Sequence, residues 1–400
     1  MILMSRRRGR QGQGTLAYLE LVTPLLDNPQ SRAKWMWWLH RDLPWALGEG
    51  WAVEYWGVRQ ANDRRSSWQQ LRVRGPRVPF SRVPWAILVL FAWGSHFRRA
   101  LFGRRETVLI ARSPYLGLGA ALARVLRPRG PALMVRIVER MPDLALRVYG
   151  SRFLSKLLGR IERFVLRKAD LIVPIAGFTR QVAEEAGVAP ERIALLPNPP
   201  RWGSTRLDEA EKADPPRVVT AARLIRGKGI DTLLTAFASV VEEVPGAELE
   251  IAGEGKERAA LERLSSSLGL GERVRFRGWI PAQEMPAFFG RALVAALPSR
   301  VEEGHPMTLR EAALAGCALV GTDLGGIRDI VQAEETGFLV PPEDPEALAE
   351  ALGRLLRNPG EARKLGATAK QRALEYFDER DQALLDLRGR VYALASMEQP

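Results

Sequence analysis

At 400 residues and 46% hydrophobic content the chain is too long for one ordinary core and too apolar for a disordered segment, so two domains are expected. One cysteine, Cys317, excludes an internal disulfide, and three histidines (His40, His96, His305) with no Asp-x-Asp leave little for a zinc site or a carboxylate-metal-diphosphate clamp. The net charge of +13 is uneven: residues 1–200 carry 33 Lys and Arg against 14 Asp and Glu (+19), and residues 201–400 carry 26 against 32 (−6).

Met1 to Ser5 reads as a short first strand, followed by a loop with Gly9, Gly12 and Gly14 and a helix from Thr15 to Leu26. Residues 83–94, from Val83 to Gly94, are an apolar run of twelve, too short to span a bilayer, with Arg98, Arg99, Arg104 and Arg105 directly after it. That helix either lies in a membrane interface, with Trp and Arg at headgroup level, or packs as an ordinary core helix. Trp35, Trp37 and Trp38 beside Arg32 and Lys34 are a second candidate membrane contact.

From Thr107 the pattern becomes regular. Strands are expected at 107–111, 132–138, 170–174 and 192–196, with helices at 116–126, 144–168 and 178–187 between them. Pro197-Asn198-Pro199-Pro200 and the polar run to Asp214-Pro215-Pro216 break it, as an interdomain linker does. From Arg217 the same grammar resumes: strands at 217–222, 247–252, 273–277, 293–297, 318–321 and 337–340, and helices near 230–243, 256–268, 283–289, 308–316 and 345–357. The expected organisation is therefore an α/β domain over 1–199, a linker over 200–216, a second α/β domain over 217–376, and a helix over 377–400 that returns to the first domain.

Two motifs carry chemistry. Pro298-Ser299-Arg300-Val301-Glu302-Glu303-Gly304-His305-Pro306-Met307-Thr308-Leu309-Arg310-Glu311 leaves the carboxyl end of a strand and enters a helix, where open α/β sheets bind ligands. Glu303 can sit on the loop and Glu311 on the first helical turn, with the backbone N–H groups of Gly304, His305, Met307 and Thr308 aimed at an anion. The plain alternative is a capping box between Thr308 and Glu311. Arg310 is expected to be a solvated helix residue rather than a phosphate contact. Earlier, Val218 to Asp231 is a strand, a basic loop and a helix start, in which Arg223 and Lys228 flank a turn loosened by Gly227 and Gly229. Two cations on such a loop can hold a departing diphosphate without a metal, although a lone basic loop is also often just a solvated turn.

Together with Ile251-Ala252-Gly253-Glu254-Gly255, Val274-Arg275-Phe276-Arg277-Gly278-Trp279 and Gly321-Thr322-Asp323-Leu324-Gly325-Gly326, these motifs closely resemble the retaining GT-B-fold glycosyltransferases of family 4. The resemblance runs from about Thr107 to about Glu375. It implies two Rossmann-like doubly wound domains facing across a cleft, the first binding the acceptor and the second a nucleotide-sugar. It implies that Glu303 contacts the donor sugar, Glu311 the ribose, Arg223 and Lys228 the diphosphate, and Gly278 and Trp279 the base. Gly304, His305, Pro306, Met307 and Thr308 complete the implied donor loop. No cofactor is implied beyond a UDP- or GDP-sugar.

Two departures stand out. Most members carry a His shortly after the strand that here reads Met134-Val135-Arg136-Ile137-Val138-Glu139-Arg140, and this chain has none there. Arg136 or Glu139 could replace it on the acceptor side, or pair as a structural ion pair; Gly12 and Gly14 are further acceptor-side candidates. His305 stands where members commonly have another aromatic, and either shapes sugar preference or packs as a flat ring.

The basic first half implies an anionic partner, with phospholipid, lipid phosphate and nucleic acid as candidates, or else a merely solvated face. The absence of a signal-peptide pattern places the protein in the cytoplasm, on the membrane's inner face if it docks there. The function expected is hexose transfer to a hydroxyl of a glycolipid or cell-surface polysaccharide precursor. A nucleotide-sugar epimerase would share the diphosphate site, and a basic nucleic-acid-binding protein would explain the charge while leaving the glutamate pair idle.

Overall fold

A computed structural model describes residues 2–3, 14–22, 51–60, 72–74, 77–78, 85–102, 108–138, 140, 142, 150–200, 212–213 and 215–394, with side chains from Trp93 onward. The chain forms two compact units, Met1–Pro197 with Asp381–Pro400, and Asn198–Arg380.

The described residues of the first unit form eight strands: β1 (Ile2–Leu3), β2 (Gly14–Val22), β3 (Trp51–Gln60), β4 (Arg72–Arg74), β5 (Arg77–Val78), β6 (Val108–Ala111), β7 (Ala132–Ile137) and β8 (Leu171–Pro174). They run in the order β4-β3-β1-β2-β6-β7-β8, with β5 also on β3. β1 is antiparallel to β2 and β3, and the other pairings are parallel. The helices are α1 (Trp85–Phe102), α2 (Pro114–Leu126), α3 (Arg152–Lys168) and α4 (Gly177–Glu185).

Two sequence expectations are corrected in this unit. In the helix expected over Thr15–Leu26 the described residues, 15–22, belong to strand β2, and Gly14 opens that strand opposite Trp51 instead of lying in a loop. A strand paired on both sides carries apolar residues at successive positions, a pattern that periodicity cannot tell from a helix. The strand expected at 192–196 is a single bridge, Ile193 to Ile172, flanked by Ala194 N donating to Ile172 O and Leu196 N to Pro174 O, both 2.9 Å. Pro174 has no N–H, so the ladder cannot be completed there. Of the helix expected over 144–168, the described part is α3, where Ser151 accepts a hydrogen bond from Leu154 N at 3.2 Å and caps the start at Arg152; residues 144–149 lie outside the described residues.

The described part of α1 follows the core-helix alternative. Trp93 donates to Tyr115 O at 3.0 Å and meets the Tyr115 ring edge-on, His96 is fully buried with its Nδ1 3.0 Å from Leu116 O, and Ala100 is buried. Arg98 and Phe102 remain exposed. Arg104, Arg105 and Trp35–Trp38 lie outside the described residues. No helix among the described residues is long and apolar enough to cross a membrane.

The described residues of the second unit form six parallel strands: β9 (Arg217–Ala221), β10 (Glu248–Ala252), β11 (Val274–Gly278), β12 (Val294–Leu297), β13 (Ala318–Thr322) and β14 (Gly337–Val340). Their order is β11-β10-β9-β12-β13-β14. The helices are α5 (Ile230–Glu243), α6 (Arg258–Ser267), α7 (Met285–Gly290), α8 (Met307–Leu314), α9 (Pro345–Arg357) and α10 (Pro359–Leu394). In α9, Asp344 caps the start through Ala347 N at 2.9 Å, Pro345 occupies the first helical position, and Leu348, Ala351, Leu352, Leu355 and Leu356 form the buried stripe. Burying each leucine of that stripe contributes about 1.5–3 kcal/mol. One face of the sheet packs on Leu233, Phe237 and Leu352, the other on Phe289, Leu309 and Phe377. Farther along α10, Leu384, Leu387, Val391 and Tyr392 belong to the first unit's core.

Cys317 lies buried in the second face, its Sγ 3.2 Å from Phe289 O and 3.4 Å from Ala292 O. Burial pushes its thiol up from 9.0 to about 11. The folded chain thus holds this proton more tightly than the unfolded chain does. The resulting stabilisation is whole below pH 9 and is lost as pH rises through about 11. Iodoacetamide at pH 8 is therefore expected to label Cys317 only in denaturant, which mass spectrometry of native and unfolded protein checks.

Candidate active site

The strand order reverses between β9 and β12, which pair through Val294 with Val218 and Ala295 with Val219. Loops leaving the carboxyl ends of two such strands diverge to opposite faces and open a crevice between them. Both chemical motifs sit on these two loops, 222–229 after β9 and 298–306 after β12.

The loops touch. Gly229 has φ +64°, and a Cβ there would lie 1.9 Å from Pro298 O, so only glycine fits. Arg300 N donates to Gly227 O at 2.9 Å, and its Nη2 donates to Asp231 Oδ2 and Thr232 Oγ1 on the first turn of α5, both at 2.8 Å. That ion pair ties the β12 loop to α5, and Asp231 also suits the helix's positive end.

Within this frame Lys228 Nζ donates to Glu303 Oε1 at 2.5 Å, and Ser299 Oγ donates to the same oxygen at 2.5 Å. Lys228 and Glu303 are 16% and 14% exposed, and Ser299 is fully buried, so little water competes for the pair. Glu303 Oε2 accepts no hydrogen bond among the described residues. Behind the carboxylate, Gly326 N donates to Glu303 O at 2.7 Å, and a side chain at Gly326 would come within 2.8 Å of Glu303 O and Gly304 O. Arg223 lies exposed on the β9 loop and has no ion-pair partner among the described residues. Arg223, Lys228 and Glu303 together carry one net positive charge, suited to an anion.

α8 begins at Met307 after Pro306, and no side chain caps it. The Thr308–Glu311 capping box is therefore not formed. Thr308 is already inside the helix, and its hydroxyl donates across to Ala221 O at 2.6 Å, joining α8 to the end of β9. Glu311 is fully buried in α8. The solvated Arg310 expected from the sequence is corrected: it is 5% exposed, its Cζ lies 3.2 Å from the centre of the Tyr376 ring, and its Nη2 donates to Asp329 O at 3.3 Å. Burial lowers its pKa and raises that of Tyr376. His305 stacks on the other ring partner of this group, 5.8 Å from Tyr376 between centroids at 20°, with its Nδ1 3.4 Å from the Tyr376 hydroxyl.

Gly278 ends β11 and accepts from Gly253 N at 2.7 Å, and Trp279 beside it is 39% exposed. In the first unit Arg136 is buried on β7; Glu139 and Gly12 lie outside the described residues. No group of three His, Cys, Asp or Glu side chains among the described residues could hold a metal ion. The structure thus brings Lys228, Glu303 and Ser299 together and sets Arg223 on the same loop as Lys228. It adds Ser299 and Tyr376, to which the sequence reading assigned no role. Ser299 was legible as the first residue of a Ser-x-x-x-Glu loop, whereas nothing local marked Tyr376.

Residues 204–372 match the family model described as glycosyl transferases group 1, and residues 31–199 match a glycosyl transferase 4-like domain. An exopolysaccharide phosphotransferase of Streptomyces coelicolor is 33% identical over 62% of this chain and 26% of its own length. A GDP-mannose-dependent alpha-(1-6)-phosphatidylinositol monomannoside mannosyltransferase of Mycolicibacterium smegmatis is 31% identical over 55% of this chain and 63% of its own. The chain thus spans less than two thirds of either relative. Sucrose-phosphate synthase from Thermosynechococcus elongatus superposes with a TM-score of 0.65 at 23% identity, over 87% of this chain and 91% of that one, which shows the fold to be GT-B. With both halves matched by family domains and both units built as parallel-sheet α/β layers, the chain belongs to the group 1 glycosyl transferases.

Proposed function

We propose that the chain is a retaining glycosyltransferase that moves a hexose from a UDP- or GDP-sugar to a hydroxyl of a glycolipid or cell-surface polysaccharide precursor, without a metal. It acts on the cytoplasmic side, at an anionic membrane surface. The observation that carries the reading is the Lys228–Glu303–Ser299 cluster at the strand-order reversal, with Arg223 exposed on the same loop as Lys228.

Arg223 and Lys228 hold the diphosphate and the charge that grows on it as it departs. Cations aimed at developing charge in a site with little water lower the barrier most, and removing one such group costs about 10²–10³ in rate. Glu303, held in place by Lys228 and Ser299, receives sugar hydroxyls through Oε2. The bond from the anomeric carbon to the diphosphate breaks, the acceptor oxygen bonds to that carbon on the same face, and the acceptor proton passes to the leaving diphosphate. Glu311 reads the ribose once the entering nucleotide uncovers it.

A thermal-shift panel of UDP, GDP and their sugars tests the donor site. One nucleotide series is expected to raise Tm, with and without EDTA, since a ligand at 100 times its Kd adds about 2.7 kcal/mol. No shift with any member would remove the donor reading, and a shift abolished by EDTA would remove metal independence.

A further inference from the structure

The +19 balance of the first half has a structural focus in α3. This helix exposes Arg152, Lys156, Arg160, Arg163, Arg167 and Lys168, the first five of them at spacings of four, four, three and four that put them along one face. Its only acid, Glu162, is buried. Arg152, Lys156, Arg160, Arg163 and Lys168 pair with no carboxylate among the described residues, and Arg167 donates to Ala186 O. Acids on the neighbouring α4 do not neutralise the row, because Glu184 is held by Arg180 at 2.8 Å and Glu185 by Arg140 at 2.7 Å.

Helix stability explains only the last turn, where Arg167 and Lys168 suit the dipole. The first turn of α3 contains Arg152 and no acidic residue, and a cation there opposes the helix dipole. Beside the cations, Phe153 is 78% exposed and Leu157, one turn on, is 41% exposed. Neither contributes much burial to the core, which α3 reaches through Val165 and Leu166. A row of unneutralised cations flanked by two protruding apolar side chains fits a surface that offers dense negative charge with a hydrocarbon layer beneath it.

We propose that α3 docks the protein on an anionic lipid bilayer, its cations at the headgroups and Phe153 and Leu157 at the acyl boundary. A nucleic acid would meet the charges but gives the two apolar side chains nothing to enter. The docking face is α3; in the described part of α1, Trp93 and His96 are spent on α2. The inference concerns binding alone and does not depend on the donor site.

Cosedimentation of the full chain with vesicles of phosphatidylcholine, alone or mixed with phosphatidylglycerol, tests it. Binding is expected only to the mixed vesicles and only at low salt. Each cation lost is expected to weaken partitioning about fivefold, so the triple change Arg152→Gln, Lys156→Gln, Arg160→Gln should lower it about a hundredfold. Phe153→Ser should weaken binding without changing its salt dependence. These positions are exposed, and an unchanged Tm would show that the variants remain folded. Vesicle binding that survives the triple change, an absence of binding to mixed vesicles, or tighter binding to RNA than to vesicles at the same salt would each overturn the proposal.

Discussion

Lys228→Ala is expected to lower turnover by about 10²–10³-fold. Lys228 Nζ is one of two groups that hold Glu303 Oε1, and under the proposed function it is also a counter-charge for the departing diphosphate. Its loss acts twice: the leaving group goes without a cation, and Glu303 keeps only the Ser299 hydroxyl in a pocket where it is 14% exposed. The stability cost is smaller, about 1–3 kcal/mol for a partly buried carboxylate left with one partner. Steady-state kinetics with the nucleotide-sugar that the thermal-shift panel selects, beside a denaturant titration, separates the two effects. A variant with nearly wild-type turnover would contradict the role given to Lys228, whatever its stability.

Gly229→Ala is expected to destabilise the second unit by about 3 kcal/mol or more and to abolish the Tm shift with nucleotide. Two terms add. A left-handed backbone at φ +64° costs about 1–2 kcal/mol for any residue with a Cβ, and that Cβ would meet Pro298 O at 1.9 Å. Relief comes only by parting the two loops that carry Lys228 and Glu303, so stability and ligand response fail together. Gly269→Ala is the matched control: its φ is +68° with nothing within 4 Å of the new Cβ, and it should show the backbone cost alone. Equal destabilisation by the two changes would mean that the loops do not press on each other at Gly229.

Much of the second unit was legible residue by residue. The helix expected over 230–243 is Ile230–Glu243, and the one expected over 345–357 is Pro345–Arg357. Their boundaries are written locally: Gly229 and Asp344 stand at the starts, and apolar residues recur at helical spacing. Strand β2 was misread for the opposite reason. Leu, Ala and Glu in 15–22 favour a helix when taken alone, and only its pairing with β1, β3 and β6 makes the segment a strand.

The candidate site divides along the same line. Arg223, Lys228 and Glu303 stand in contiguous motifs whose chemistry can be read from residue type and spacing. That Lys228 holds Glu303, across 75 residues of chain, could not be read there. Arg310 looked like a solvent-facing neighbour of Glu311 until Tyr376 of α10 covered it. Likewise the exposure of the cations of α3 beside Phe153 and Leu157 was set by how that helix packs on the first unit's core.

The amino-acid sequence by itself determined the family, the regular elements of the second unit and the loops that bear the charged side chains, because each depends on residues within about one helical turn or one strand. Tertiary structure decided which cation is paired and which is free, which arginine is buried, and which basic helix faces outward. Those properties belong to segments distant in sequence, which set local exposure and charge only when packing brings them together.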